Sequence, residues 1–302
     1  MDGQVFSSVL LSPQLQNQAT YTIEQVRDDL TRLMIQMPQR QNTDDCVSVE
    51  LEVRLPYGAS LVRLAVNNLD IDIQQPFVKE IQVVDIQTSN ADITLNHWSG
   101  ESLNLKTTNG HIKTLGTLFA RDSIYMKNSN GQISLIDNAV AKRTIHVNNV
   151  NGDIEAFGLL KADNSVQVEN ANRLIGLNKI EANSVSIQNA NSDIQVNYIM
   201  AKFRVVVKTS NAPISFGVTG VKNNQVNVIN SNGPVNLHMP SEFEGHFLLS
   251  TTPSTDIIIE NEEYIDYEEN QSFTKRGTRR GTAKGDLTVQ TSHGDVHLAF
   301  DI

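Results

Sequence analysis

One cysteine, Cys46, stands in 302 residues, so no disulfide within the chain can staple the fold. Cys46 is expected as a small apolar residue near a strand, not a reactive thiol. Aromatic residues make up only 6% of the chain and tryptophan occurs once, which suits a narrow interior filled by Val, Ile and Leu. No run approaches 18 apolar residues, which excludes a membrane-spanning helix. The opening MDGQVFSSVLLSP lacks a cationic start and does not read as a signal peptide. The chain is therefore expected to be intracellular or a piece of an exported protein. Basic charge is also short: 24 Lys and Arg face 34 Asp and Glu, for a net charge of −10. Nucleic-acid binders need basic stripes, so that partner class is excluded. No G-x-S-x-G, phosphate loop or zinc-ligand spacing occurs.

Asparagine is abundant instead, at 31 residues, and its placement is periodic. The stretch SLNLKTTNGHIKTL (102–115) recurs from Val62 almost to the last residue. With its Asn109 as position zero, equivalent anchors are Asn68, Asn90, Asn130, Asn151, Asn172, Asn191, Asn211 and Asn232, and His293 takes the place in the final copy. Consecutive Asn anchors lie 19 to 22 residues apart, the mark of a repeat architecture. Apolar residues hold offsets −6, −4, +3 and +5, as Leu103, Leu105, Ile112 and Thr114 do in the first stretch, Thr114 being the polar exception.

The parity changes between zero and +3, so each repeat reads as strand, bend, strand and linker. Gly110, Gly131, Gly152, Gly233 and Gly294 follow the anchor, where glycine permits a positive φ or a close approach. A hairpin meander competes with a β-solenoid here. Asn191-Ser, Asn172-Arg, Asn90-Ala and Asn211-Ala fit a two-residue hairpin turn poorly. Stacked coils also explain why one side-chain class recurs at one offset, because equivalent residues then lie about 4.8 Å apart. The expectation is an all-β, single-domain parallel solenoid of about ten or eleven coils of roughly 20 residues.

Parity places the anchors inward with offset −2, which holds Thr88, Thr107, Asn128, Asn149, Asn170, Asn189, Thr209, Asn230 and Thr291. Buried polar groups need partners, so ladders of amides and hydroxyls between coils, and to the backbone, are expected beside the bend. Offset −1 is small almost throughout, as suits a crowded corner.

Residues 1–18 read as a loose lead and 19–60 as an N-terminal cap, with the repeats filling 61–302. Within the cap, Ile23, Val26, Leu30, Leu33, Met34 and Met37 follow a helical period, with a capping box from Thr22 to Gln25. Leu33, Ile35 and Met37 alternate as a strand would, so helix and strand remain open for 22–37. Residues 47–55 alternate cleanly as a strand, and Pro56-Tyr-Gly58 turns the chain into the first coil. Pro253 falls at position zero of a degenerate coil, expected to be irregular. Residues 260–285 carry an acidic run and then a basic one among glycines, and read as a solvated charged loop inserted before a final closing coil.

The stretch VRLPYGASLVRLAVNNLDIDI (53–73), a strand ending in Leu-Pro, a Gly and an Asn-x-Asp-Ile bend, resembles the opening of the adhesin repeat domain family of bacteria and fungi, a family of unknown function. Its Asn-Gly-Asp-Ile theme recurs at 151–154 and, as His-Gly-Asp-Val, at 293–296. The resemblance spans roughly 47–302. It implies a β-solenoid and a surface-adhesion role, and brings no catalytic residues.

Chemistry is sparse. Asp70, Asp92, Asp153, Asp193 and Asp295 sit at +2 and are expected to complete turn hydrogen bonds. His293 is read as a substitute for Asn in the ladder. His97-Trp98 lies in a linker, where half-buried packing competes with sugar contact. Neither catalytic residues, nor a metal, nor a cofactor are expected. The function read here is a non-enzymatic, adhesin-like interaction scaffold whose partner is an unknown protein or glycan surface, working as a monomer. The alternatives are a carbohydrate-active β-helix enzyme and an intracellular structural repeat protein.

Overall fold

The computed structural model describes residues 4–11, 20–27, 30–36, 47–54, 60–73, 81–220, 224–281 and 284–301. Cys46 and Pro56-Tyr-Gly58 lie outside them. The chain divides into two compact units, Met1–Ala59 and Ser60–Ile302. In the first, strand Gln4–Leu11 pairs antiparallel with Val47–Arg54, and Thr20–Arg27 pairs antiparallel with Leu30–Gln36. Residues 4–11, expected within a loose lead, are thus a strand. The helical period of 22–37 is overridden as well, since a β-branched and aromatic segment, Thr20–Ile23, pairs with Leu33–Gln36 across a ladder.

The second unit is a parallel β-solenoid. Leu61 stands beside Val83, Val83 beside Ser102, and so on through Ser123, Thr144, Ser165, Ser184 and Arg204 to Gln225. That makes eight consecutive coils of 19 to 22 residues, every pairing parallel. The limb after the bend stacks in the same way, from Ile71–Ile73 through Ile93–Leu95, Ile112–Thr114 and Ile133–Leu135 onward.

The linker forms a third limb. Trp98, Leu118, Ala139, Leu160, Ile180 and Ile199 follow one another in register and point inward, each with a small residue two positions on. Three limbs enclose one continuous core of Val, Ile, Leu and Ala. Trp98 belongs to that core at 2% exposure, so a sugar contact through it is ruled out.

Of the expected ten or eleven coils, eight follow one another in sequence order, and beyond them the chain reorders at its C-terminal end. Strand Gly285–Thr291 pairs with Gln225–Asn230 on one side and with Gly245–Ser250 on the other, parallel to both. Val296–Phe300 sits likewise between Val235–Met239 and Ile257–Glu260. The final coil is therefore inserted beneath the degenerate one instead of closing the array. Thr291 and Gly294 keep the repeat pattern, and they fit the coil below. Thr291 Oγ1 donates to Gly233 O at 3.2 Å, and a Cβ on Gly294 would lie 2.1 Å from the same oxygen. The degenerate coil, with Pro253 at its bend, is left outside.

The described part of the charged segment 260–285 is built on two strands and is not the solvated loop expected. Ile265–Asn270 and Thr274–Arg279 form an antiparallel hairpin, and the second strand pairs antiparallel with Gly245–Ser250. The edge it presents is acidic, with Asp266, Glu268 and Glu269, which blunts edge-to-edge pairing. Aromatics scarce in the coils gather at this end. Phe243 stacks on Phe300 at 6.2 Å, and the Arg279 guanidinium lies 4.3 Å from the Phe300 ring. Burial is the main cause pushing the Arg279 value down, and its Nη1 donates to Phe243 O at 3.3 Å.

Charges on neighbouring coils are mostly complementary. Asp122 accepts Arg143 Nη2 at 2.7 Å, and that bond, against opposing burial, holds its carboxyl down from the ordinary 3.8 to about 2. A carboxylate depressed on folding stabilises the fold above its unfolded value and loses that contribution as pH falls towards the folded one. Arg143→Gln is expected to return Asp122 towards 3.8 and to delete the acid-sensitive window between the two values. An NMR titration of the Asp122 carboxyl carbon checks this, and an unshifted midpoint would contradict it.

Candidate functional site

The geometry that recurs along the array is the Asn corner, where backbone, amides and carboxylates of successive coils meet. Two asparagine columns stand there, and they do different things. The column at −2 is buried, as expected from parity. Asn149 Nδ2 donates to Gly131 O of the coil before and to Gly152 O of its own bend, both at 2.8 Å, while its Oδ1 accepts the Val150 N–H at 2.8 Å. Asn170, Asn189 and Asn230 repeat the pattern. Each inner amide thus ties two bends together through the backbone instead of bonding its like.

The anchor column is exposed, contrary to the inward facing expected for Asn68, Asn90, Asn109, Asn130, Asn151, Asn172, Asn191, Asn211, Asn232 and His293. The bend begins one residue earlier than parity assumes, at −1, so position zero turns outward. There the amides do bond each other. Asn130 Nδ2 donates to Asn109 Oδ1 at 2.6 Å, Asn151 to Asn130 at 2.8 Å, and Asn172 to Asn151 at 2.7 Å. The chain of such bonds runs from Asn68 to Asn232. His293 occupies the next anchor place, with its backbone N–H on Ser231 O at 2.9 Å, as Asn151 places its own on Ser129 O at 2.8 Å.

Asn149→Ala is expected to strand buried backbone groups and cost about 2–3 kcal/mol. Asn151→Ala, whose bonds face water, should cost about 1 kcal/mol or less. Equal shifts in the urea midpoint would contradict the assigned facing.

The glycines at +1 are required by close approach and not by a positive φ. A Cβ on Gly131 would lie 2.0 Å from Gly110 O, and one on Gly152 2.0 Å from Gly131 O. The carboxylates at +2 bond the backbone of the neighbouring coil. Asp70 Oδ1 accepts the Asp92 N–H at 2.8 Å, and Asp92 Oδ1 the His111 N–H at 2.7 Å. Asp153 takes Leu174 N–H at 3.1 Å, and Asp295 takes Asp256 N–H at 3.0 Å. His111 stands in for Asp, its Nδ1 accepting Gln132 N–H at 3.0 Å. Asp193 faces Pro213, which has no N–H to give, and accepts Gln195 Nε2 at 3.4 Å instead.

Among the described residues, no three His, Cys, Asp or Glu side chains are grouped to hold a metal, and no helix is long and apolar enough to cross a membrane. Outside the corner, Leu115, Ile136 and Phe157 form an uncovered apolar row on three successive coils, 42–55% exposed. The row continues as Asn178 and Asn197, bonded to each other at 2.9 Å. Sequence reading missed this row because it treated the linker as featureless.

Fold and corner together define a parallel β-solenoid repeat protein. A family model described as Toastrack DUF4097 matches residues 7–156, 59–197 and 119–299, and the chain belongs to that family, a repeat domain of unknown function. The matches overlap, as a multi-coil pattern does when it slides along an array of similar coils. No curated protein and no solved structure matches. The resemblance to an adhesin repeat is borne out as far as a β-solenoid repeat family, and no further.

Proposed function

We propose that this protein is a non-enzymatic, adhesin-like interaction scaffold, presenting rigid lengthwise rows of side chains to a protein or glycan partner. One observation carries the reading. The carboxylates that a β-helix glycosidase or lyase would direct at substrate, Asp70, Asp92, Asp153 and Asp295, each spend an oxygen on the backbone N–H of a neighbouring coil. Catalysis by paired carboxylates needs them free and converging on one point. The uncovered row of Leu115, Ile136 and Phe157 supports an interaction role, since contiguous exposed apolar surface commonly marks contact sites.

The test is a panel of immobilised polysaccharides and surface proteins, read for both retention and product. Retention of the intact chain with no new reducing ends is the expected result. New reducing ends, or no retention by any member, would overturn the proposal.

A further inference from the structure

We infer that a groove on the outside of the first coils binds an extended acidic polysaccharide; this deepens the scaffold reading and rests on it. The groove is a cavity of about 540 Å³ that crosses four successive coils beside the Asn corner, from Ala65 to Ser129. Its walls come from offsets −3 and −1, whose side chains point out on either side of the buried −2 column. Small side chains at −1, namely Ser89, Thr108 and Ser129, keep it open and line one wall with hydroxyls. Lys106 and Lys127 stand on the other wall. No carboxylate lines it, in a chain of net charge −10.

The two lysines are the second observation. They are direct neighbours on adjacent parallel strands, where like charges repel. Other charges in register on neighbouring described strands are complementary, as Arg63 with Asp85 at 3.2 Å and Lys161 with Glu181 at 3.0 Å, and like-charged neighbours such as Asp70 and Asp92 stand at the bend, where one carboxylate bonds the other's backbone N–H. The Lys106–Lys127 pair breaks that rule at the groove. The Lys106 ammonium also lies 5.4 Å from the Tyr125 ring, which meets the His146 ring edge-on at 5.2 Å. On the groove floor Thr88 is 7% exposed, and its Oγ1 has no partner.

A bridging anion relieves the lysine repulsion, and the hydroxyl wall suits sugar hydroxyls. A run of four coils, about 14 Å at the strand spacing, fits a linear chain better than a single small anion. Two cations are too few for a nucleic-acid backbone, whose binders neutralise many phosphates.

Polygalacturonate, dextran sulfate, neutral dextran and a single-stranded oligonucleotide are titrated against the full chain by calorimetry. Carboxylate and sulfate polymers distinguish the two sources of acidity. Binding of at least one acidic polymer, absent with dextran, is expected. Charge-assisted hydrogen bonds of the size expected here make Lys106→Gln with Lys127→Gln weaken binding about tenfold or more. Lys208→Gln, in the same row on a later coil, should leave it unchanged, and circular dichroism confirms that each variant folds. No binding of either acidic polymer, binding indifferent to the lysine pair, or an oligonucleotide bound as tightly would overturn the inference. Reducing ends appearing in the same mixtures would instead overturn the non-enzymatic reading and leave the groove standing.

Discussion

Ile133→Asp is expected to lower stability by about 3–5 kcal/mol or to prevent folding of the neighbouring coils, because it places a carboxylate where no partner can reach it. Ile133 is fully buried, and its register neighbours Ile112 and Ile154 are fully buried too. The charged form would have to be desolvated among three layers of aliphatic side chains. The group would instead take up a proton or force the coils apart, and both are costly. Ser134→Asn, one residue along and pointing outward between Lys113 and Glu155, should stay within about 0.5 kcal/mol. Urea denaturation of both variants is the check. A midpoint for Ile133→Asp close to that of Ser134→Asn would show that the inward parity of this limb is wrong.

Gly131→Ala carries the second large effect, for a different reason. Its Cβ would sit 2.0 Å from Gly110 O and 2.6 Å from the carbonyl carbon. Both are backbone atoms of the coil below, so no side chain can swing aside. The rungs must part, and the inner amide bond from Asn128 Nδ2 to Gly110 O, 2.7 Å, parts with them. A loss of about 3 kcal/mol or more follows from overpacking of this kind. Gly176→Ala is the control, since its nearest outside atom is Leu174 Cδ2 at 3.6 Å. There the added methyl restricts the unfolded chain and should be neutral or stabilising by up to about 1 kcal/mol. A Gly131→Ala protein that melts with the wild type would mean that successive bends are not stacked as closely as described.

Much of this was legible in the residues. The 19- to 22-residue spacing of the Asn anchors fixed two limbs and their register, because side-chain parity and the glycine after each anchor repeat in phase. The third limb was not legible. Its inward residues come as short pairs such as Leu118 with Ala120 and Ala139 with Ala141, two positions of alternation that resemble an ordinary linker. The facing of the anchors was misjudged because a bend can consume the residue at −1 or the one at zero, and alternation alone does not say which. The order at the C-terminal end was hidden too, since hydrophobic pattern marks a strand but not its neighbour. A signal did exist: Gly294 matches Gly233 after the anchor, whereas the degenerate coil has Pro253 at the anchor and Ser254 after it. The groove lysines sit at −3, a row whose residue types change from coil to coil and so leave no periodic signal.

In the stack, Asn227 stands beside Thr288, and Thr288 beside Leu248, all three pointing outward. Neighbouring strands bring Cα atoms to about 4.8 Å, within disulfide range, while two strand spacings do not. In a Cys46→Ser background, Asn227→Cys paired with Thr288→Cys should crosslink under mild oxidant, and Asn227→Cys paired with Leu248→Cys should not. Crosslinking of the second pair and not the first would contradict the in-register parallel stack with its inserted final coil.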